Sequence, residues 1–178
     1  MIGVIGSGSF GSALSNLLAE NQEVLLYTRR PELKEEIEQK GTNNGQKMHH
    51  RVKVTLDLQT VAEHCFLIFP TVPSASFREM MKQLGPFLRP DHFLIHATKG
   101  VDITTPKGFS KDEVFPVNRD CVRTMSEVIQ EESVVVRVGC LAGPNLAGEI
   151  AAGQPAATVI ASKFDEVIRE GKAAIRQR

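Results

Sequence analysis

Residues Gly3 to Leu18 read GVIGSGSFGSALSNLL, and this stretch decides the fold. Val4 and Ile5 belong to a short apolar, β-branched run closed by Gly6, which reads as a buried strand. Phe10, Ala13, Leu14, Leu17 and Leu18 then fall at the spacing of one helical face. Between them lies Gly6-Ser7-Gly8-Ser9-Phe10-Gly11, a G-x-G-x-x-G placed where a strand ends and a helix begins. In that context Gly6 permits a tight turn, Gly8 lets backbone approach a diphosphate, and Gly11 lets the helix pack closely on the sheet. The helix N-terminus adds free N–H groups and a positive dipole for an anion.

Outward from this stretch, Val24 to Tyr27 is a second apolar run, and Leu33 and Ile37 mark a charged helix that stops at Gly41. Strand, helix and strand in this order form a βαβ unit with parallel strands and a right-handed crossover. Residues 42–51 read as polar and irregular. Leu58, Val61 and Ala62 suggest a short helix, and Cys65 to Phe69 a strand. A helix from about Ser74 carries Phe77, Met81, Leu84 and Leu88, and a strand follows over His92 to Ala97. Residues 101–119, with two prolines, read as a surface loop. Val122, Met125, Val128 and Ile129 predict a helix, Val134 to Val138 a strand, and Ala156 to Ala161 a further strand. Phe164, Val167, Ile168 and Ile175 lie at helical spacing, with no capping residue before Gln177-Arg178, as in a chain cut short of a following domain or in a natural frayed C-terminus. The expected architecture is α/β, a doubly wound, mostly parallel sheet of Rossmann type, in one dinucleotide-binding domain over residues 1–178.

Composition narrows the function. With 178 residues and 42% hydrophobic content, the chain can bury a core without disulfides or metal. Lys and Arg number 21, as do Asp and Glu, a balance that argues against a nucleic-acid surface. No apolar run approaches the ~18 residues of a membrane span. Cys65, Cys121 and Cys140 are odd in number and far apart, so they read as reduced thiols of a cytoplasmic protein. The first residues read as a strand rather than a leader. His49, His50, His64, His92 and His96 form no metal-ligand spacing, so no metal is expected.

The end of the second strand bears on which dinucleotide binds. An acidic residue there would hold the ribose 2′-hydroxyl of NAD. This chain has Thr28, Arg29 and Arg30, and the first carboxylate after the strand is Glu32, beyond Pro31. Two guanidiniums suit a 2′-phosphate, which favours NADP(H), with NAD(H) as the alternative. Lys99-Gly100 and Gly143-Pro144-Asn145 each follow a predicted strand, at the sheet edge where open α/β folds bind ligands. Taken singly, each motif is as readily a surface lysine and an ordinary turn with Asn145 as N-cap.

GSGSFG, Val72-Pro73-Ser74, Thr98-Lys99-Gly100 and the GPNLAGEIAAGQPAATVIAS of residues 143–162 occur in that order. Together they resemble the bacterial-type NAD(P)-dependent glycerol-3-phosphate dehydrogenases, over the N-terminal, nucleotide-binding domain. The resemblance implies that Ser9 and Phe10 lie against the dinucleotide, with Arg29 and Arg30 near the adenosine ribose. It implies that Lys99 touches cofactor and substrate as a catalytic lysine, that Gly143 and Asn145 bind the three-carbon phosphate, and that Ala147 lines the cofactor site. The implied reaction is reversible hydride transfer between the nicotinamide and C2 of dihydroxyacetone phosphate. Its product, sn-glycerol 3-phosphate, feeds phospholipid synthesis, and the full-length enzyme is implied to be a homodimer. In the family a second lysine, in a helical C-terminal domain, donates or accepts the proton. This chain stops before that segment, so it holds no complete catalytic set. Where the family often has Tyr-Leu-Pro-Gly, this chain has Met48-His49-His50-Arg51. Other readings with the same layout are a ketopantoate reductase or hydroxyacyl dehydrogenase, and a non-catalytic NAD(P)-sensing module.

Overall fold

The computed structural model describes residues 1–105, 108–110, 114 and 116–176. Strands β1 (Ile2–Ile5) and β2 (Val24–Tyr27) flank helix α1 (Ser9–Ala19), as the opening stretch requires. Helix α2 (Pro31–Lys40) starts on a proline and ends at Gly41 in the left-handed region (φ 65°). A hairpin of β3 (Thr42–Asn43) and β4 (Gln46–Lys47) follows, then β5 (Val52–Thr55), α3 (Leu58–His64) and β6 (Leu67–Pro70). Helix α4 (Ser74–Leu84) leads to β7 (Phe93–His96) and to a second hairpin, β8 (Val101–Ile103) with β9 (Val122–Thr124). The remainder is α5 (Met125–Glu132), β10 (Arg137–Ala142), α6 (Ala147–Ala151), β11 (Val159–Ser162) and α7 (Asp165–Ile175).

The main sheet has seven strands in the order β11-β10-β7-β6-β1-β2-β5, all parallel except β11 against β10. Side chains alternate cleanly across it. Ile2, Val4, Val24, Leu26, Phe69, Phe93 and Ile95 pack with α1, α2 and α7, while Ile5, Leu25, Ile68 and Leu94 pack with α3, α4 and α5. This period of two, buried on both faces, makes three layers with the sheet in the middle. Because β2 lies on one side of β1 and β6 on the other, the winding reverses at β1. In this fold class ligands bind at the carboxyl ends of the strands beside such a reversal. Pro70 is tolerated as the last residue of β6, where its carbonyl accepts from the Ala97 amide (2.9 Å) and no further ladder donor is needed.

Several elements differ from the sequence expectation. Residues 42–51 are not simply irregular: Asn44 (φ 51°) and Gly45 (φ 78°) close the first hairpin through a two-residue turn suited to the strand twist. Strand β5 was absent from the expectation because only Val52 and Val54 supply its apolar alternation. The segment from 101 is not all loop, since β8 pairs with β9, and Val122 therefore lies in a strand rather than in α5. A Thr124–Glu127 capping box starts that helix at Met125. Leu88 lies beyond α4, which gives way at Gly85-Pro86 to a tight turn, yet Leu88 remains buried. Strand β10 begins three residues later than the apolar run at Val134, because Val134 and Val136 are exposed. Pro106 of the expected loop and the terminal Gln177-Arg178 lie outside the described residues.

Candidate dinucleotide and substrate cleft

The backbone turn between β1 and α1 is built by its glycines. Gly6 has φ +119°, a conformation other residues rarely adopt. A Cβ on Gly11 would stand 1.8 Å from the Gly6 carbonyl oxygen, so only glycine lets α1 approach so closely. Gly8 is different: its backbone is extended (φ −73°, ψ 177°), and a Cβ there would meet nothing within 4 Å. The bare face of Gly8 is open space in front of the helix N-terminus, a cradle that a side chain would fill. That vacancy, beside free helix amides, fits a diphosphate.

Side chains hold the turn from behind. The Thr71 hydroxyl donates to the Ile5 and Gly6 carbonyls (3.0 and 3.1 Å), tying the end of β6 to the turn. Buried Ser7 and Thr28 share a hydroxyl hydrogen bond (2.7 Å), and Thr28 also accepts from the Arg30 amide (3.2 Å). The Ser7 side chain thus faces β2, leaving its main chain to the turn. Arg29 and Arg30 are exposed at the end of β2 and make no ion pair among the described residues. Arg78, by contrast, is ringed by Asp102, Glu131 and Glu132.

A cleft of about 300 Å³ opens at the same sheet edge, lined by Phe10, Thr71, Val72, Pro73, Ala97, Thr98, Lys99, Leu141 and Asn145. Phe10, Lys99 and Asn145, distant in sequence, thereby meet in one place. The Thr98 hydroxyl donates to the Val72 carbonyl (2.7 Å), joining the loops after β6 and β7 and placing Lys99. Lys99 is exposed and pairs with no carboxylate among the described residues, so its ammonium is available to an anion. Asn145 is buried and is not the N-cap of α6, which begins after Leu146 without a side-chain cap. Instead its Oδ1 accepts from the Thr158 hydroxyl (2.8 Å), which leaves the amide nitrogen to donate to a ligand. Gly143 (φ +136°) has its Cα against the Ala157 carbonyl, where a Cβ would come within 2.4 Å. Ala147, half-buried at the start of α6, lies outside the lining of this cleft. Sequence reasoning gave no role to Thr71, Thr98 or Thr158. Their hydroxyls act by tertiary hydrogen bonds that no local pattern announces.

An open, doubly wound sheet with a glycine-rich turn and an anion-ready cleft at its reversal defines a nicotinamide-dinucleotide-binding domain. The chain belongs to the family described as NAD-dependent glycerol-3-phosphate dehydrogenase N-terminus, which it matches over residues 1–168. It is 37% identical over 182 residues to glycerol-3-phosphate dehydrogenase [NAD(P)+] of Pseudomonas aeruginosa strain LESB58, covering 99% of this chain and 48% of that protein. It is 35% identical over 169 residues to the enzyme of the same name from Acinetobacter baylyi, covering 92% of this chain and 43% of that one. The crystal structure of glycerol-3-phosphate dehydrogenase from Coxiella burnetii superposes with a TM-score of 0.82 at 26% identity, over 99% of this chain and 51% of that one. The chain thus spans about half the length of these relatives. No helix among the described residues is long and apolar enough to cross a membrane.

Proposed function

We propose that this chain is the cofactor-binding half of an sn-glycerol-3-phosphate dehydrogenase acting on dihydroxyacetone phosphate. The observation that carries the reading is the convergence of Phe10, Lys99 and Asn145 on one cleft beside the glycine turn. Such an arrangement accommodates a dinucleotide and a small phosphorylated ketone side by side. When bound, the dinucleotide supplies the hydride exchanged with C2 of the triose phosphate. The turn amides hold the diphosphate, and Phe10 packs against the dinucleotide next to α1. Lys99 places positive charge at the substrate, where it stabilises the developing oxyanion or the phosphate. Asn145, oriented by Thr158, donates from its amide to the substrate phosphate. Gly143 lets main chain approach the same group. Ala147 borders the cofactor from the start of α6.

Arg29 and Arg30, which make no ion pair among the described residues, favour NADP(H) over NAD(H) by meeting a 2′-phosphate, and the Arg30 main chain is anchored to the Thr28 hydroxyl. The proton donor is expected from a second lysine in a helical C-terminal domain, so this chain alone turns over negligibly. The full-length enzyme is expected to be a cytoplasmic homodimer whose product enters phospholipid synthesis; unpaired cysteines suit a reducing compartment. The deciding experiment titrates the chain with NADPH and NADH, then repeats both with Arg29→Ala and Arg30→Ala. Selective loss of NADPH affinity, by roughly 10-fold or more, supports the assignment. Equal losses would give the arginines to contacts shared by both nucleotides, and no binding of either would remove the reading altogether.

A further inference from the structure

Asn43 lies on β3, outside the main sheet, and is 1% exposed. Its amide nitrogen donates to the Ser7 carbonyl (3.1 Å) and to the Ser12 hydroxyl (2.7 Å). Ser12 in turn donates through its hydroxyl to the Gly8 carbonyl (3.0 Å). Both carbonyls belong to the glycine turn. In a trans peptide the N–H of the next residue points opposite to the carbonyl. Holding the Ser7 oxygen toward Asn43 therefore turns the Gly8 amide away from Asn43, while the Gly8 oxygen accepts from the Ser12 amide (2.9 Å) as well as the Ser12 hydroxyl, so the Ser9 amide is set by α1 itself. These amides belong to the turn where a Cβ on Gly8 would meet nothing within 4 Å.

The hairpin that carries Asn43 is itself pinned at both ends. Thr42 donates its hydroxyl to Glu36 on α2 (2.9 Å). Asn16, one turn beyond Ser12 on α1, donates to the Lys47 carbonyl (2.8 Å) and accepts from the His49 amide (2.8 Å). Asn43 uses both its amide hydrogens on the turn, and its Oδ1 accepts from Asn44 (3.0 Å). It does not line the cleft.

We infer that Asn43 is a positioning residue for the dinucleotide: through Ser7 and Ser12 it holds the glycine turn with its amides already aimed at the diphosphate. The inference rests on the proposed dinucleotide reading of the turn and adds a hairpin brace to it. Rigidity before binding raises affinity because less ordering remains for the ligand to impose.

The test compares Asn43→Ala with the parent chain and with Val128→Ala, a cavity variant in the opposite layer that loses stability without touching the turn. In Asn43→Ala without ligand, the backbone order parameter of Gly8 should fall from about 0.85 toward about 0.6, as in flexible backbone. NADPH should bind at least about 10-fold more weakly, while adenosine 2′-phosphate, which lacks the diphosphate, should hold within about 2-fold. Val128→Ala should leave all these readings near the parent's. Unchanged order at Gly8, or equal weakening of NADPH and adenosine 2′-phosphate, would overturn the inference; so would equal losses in Val128→Ala. If the parent bound no dinucleotide, the proposed function would fall and the ligand half of the inference with it. The order parameters would then still decide whether Asn43 shapes the turn.

Discussion

Gly8 and Gly11 stand three residues apart in one motif but are constrained by different things. Gly8 has room for a side chain and an ordinary backbone, so Gly8→Val should cost about 1 kcal/mol or less as an N-cap change. The new side chain would occupy the place proposed for the diphosphate, and NADPH titration should show binding lost while thermal unfolding shows a folded domain. Gly11→Ala drives a methyl into the Gly6 carbonyl and should destabilise by about 1–3 kcal/mol, visible in urea unfolding. If Gly8→Val still took up nucleotide at the parent's affinity, the diphosphate would have to sit elsewhere. Thr158→Val offers a parallel test of the proposed substrate site. Freeing the Asn145 amide to rotate should weaken dihydroxyacetone phosphate binding by about 5- to 10-fold, with NADPH affinity unchanged. Of these residues, the glycines were readable because they fall at fixed offsets within one strand–turn–helix segment. Asn43, Thr71 and Thr158 were not, because each acts on a partner 13 or more positions away.

At the scale of elements, the second hairpin and α5 form a charged unit around Arg78. Its guanidinium bonds Asp102 on β8 and both Glu131 and Glu132 on α5, and Arg123 on β9 also pairs with Glu131. Arg78→Met removes the cation and leaves its carboxylates facing one another, which should cost about 1–3 kcal/mol. Hydrogen exchange should locate the loosening in residues 101–103 and 122–132. The same unit is sensitive to acid. The Thr124 main chain, then Arg119, hold Glu127 down to about 2, and the Arg78 side chain leads in holding Glu131 below its usual value. Both carboxyls bind protons more readily when unfolded, so their contribution is complete above about pH 4.5 and fades as pH falls toward 2. Protection of the α5 amides should therefore drop over that window, and protection as strong at pH 2.5 as at pH 6 would contradict it. The capping box was present in the sequence as Thr124 and Glu127, yet the apolar spacing of Val122 with Met125 drew the expected helix start too early. Only pairing with β8 commits Val122 to a strand.

The whole molecule has a second acid-sensitive point in the core. His96, at the carboxyl end of β7, contacts Phe77 edge-on and reaches Ser126 through Nε2 (3.0 Å). Its Nδ1 is buried without a hydrogen-bond partner of ordinary geometry among the described residues, and burial pushes the ring down to about 4, against a weaker pull from the Thr98 main chain. The unfolded chain takes up this proton near pH 6.5 and the folded chain only near 4. Stability should therefore be full above pH 6.5 and decline through this window at up to about 1.4 kcal/mol per pH unit. Urea unfolding from pH 7.5 to 4 reads it out, and His96→Gln should flatten the profile between 6.5 and 4. A slope unchanged in that variant would assign the effect to other groups.

By itself the sequence determined the class of fold and the glycine turn between β1 and α1. The apolar periodicities of β1, α1 and β2 and the glycine spacing are local constraints, and each residue's own backbone and neighbours enforce them. The motif order around Lys99 and Asn145 likewise carried the family. The tertiary structure alone decided which distant groups share a site, since β6, β7 and β10 are separated in sequence and adjacent only once paired in the sheet. It also decided the edge strand β5, the antiparallel turn of β11, and the seating of the first hairpin behind the glycine turn. Hydrogen bonds between remote segments leave no period in the chain that makes them, because their partners are set by the packing of the layers.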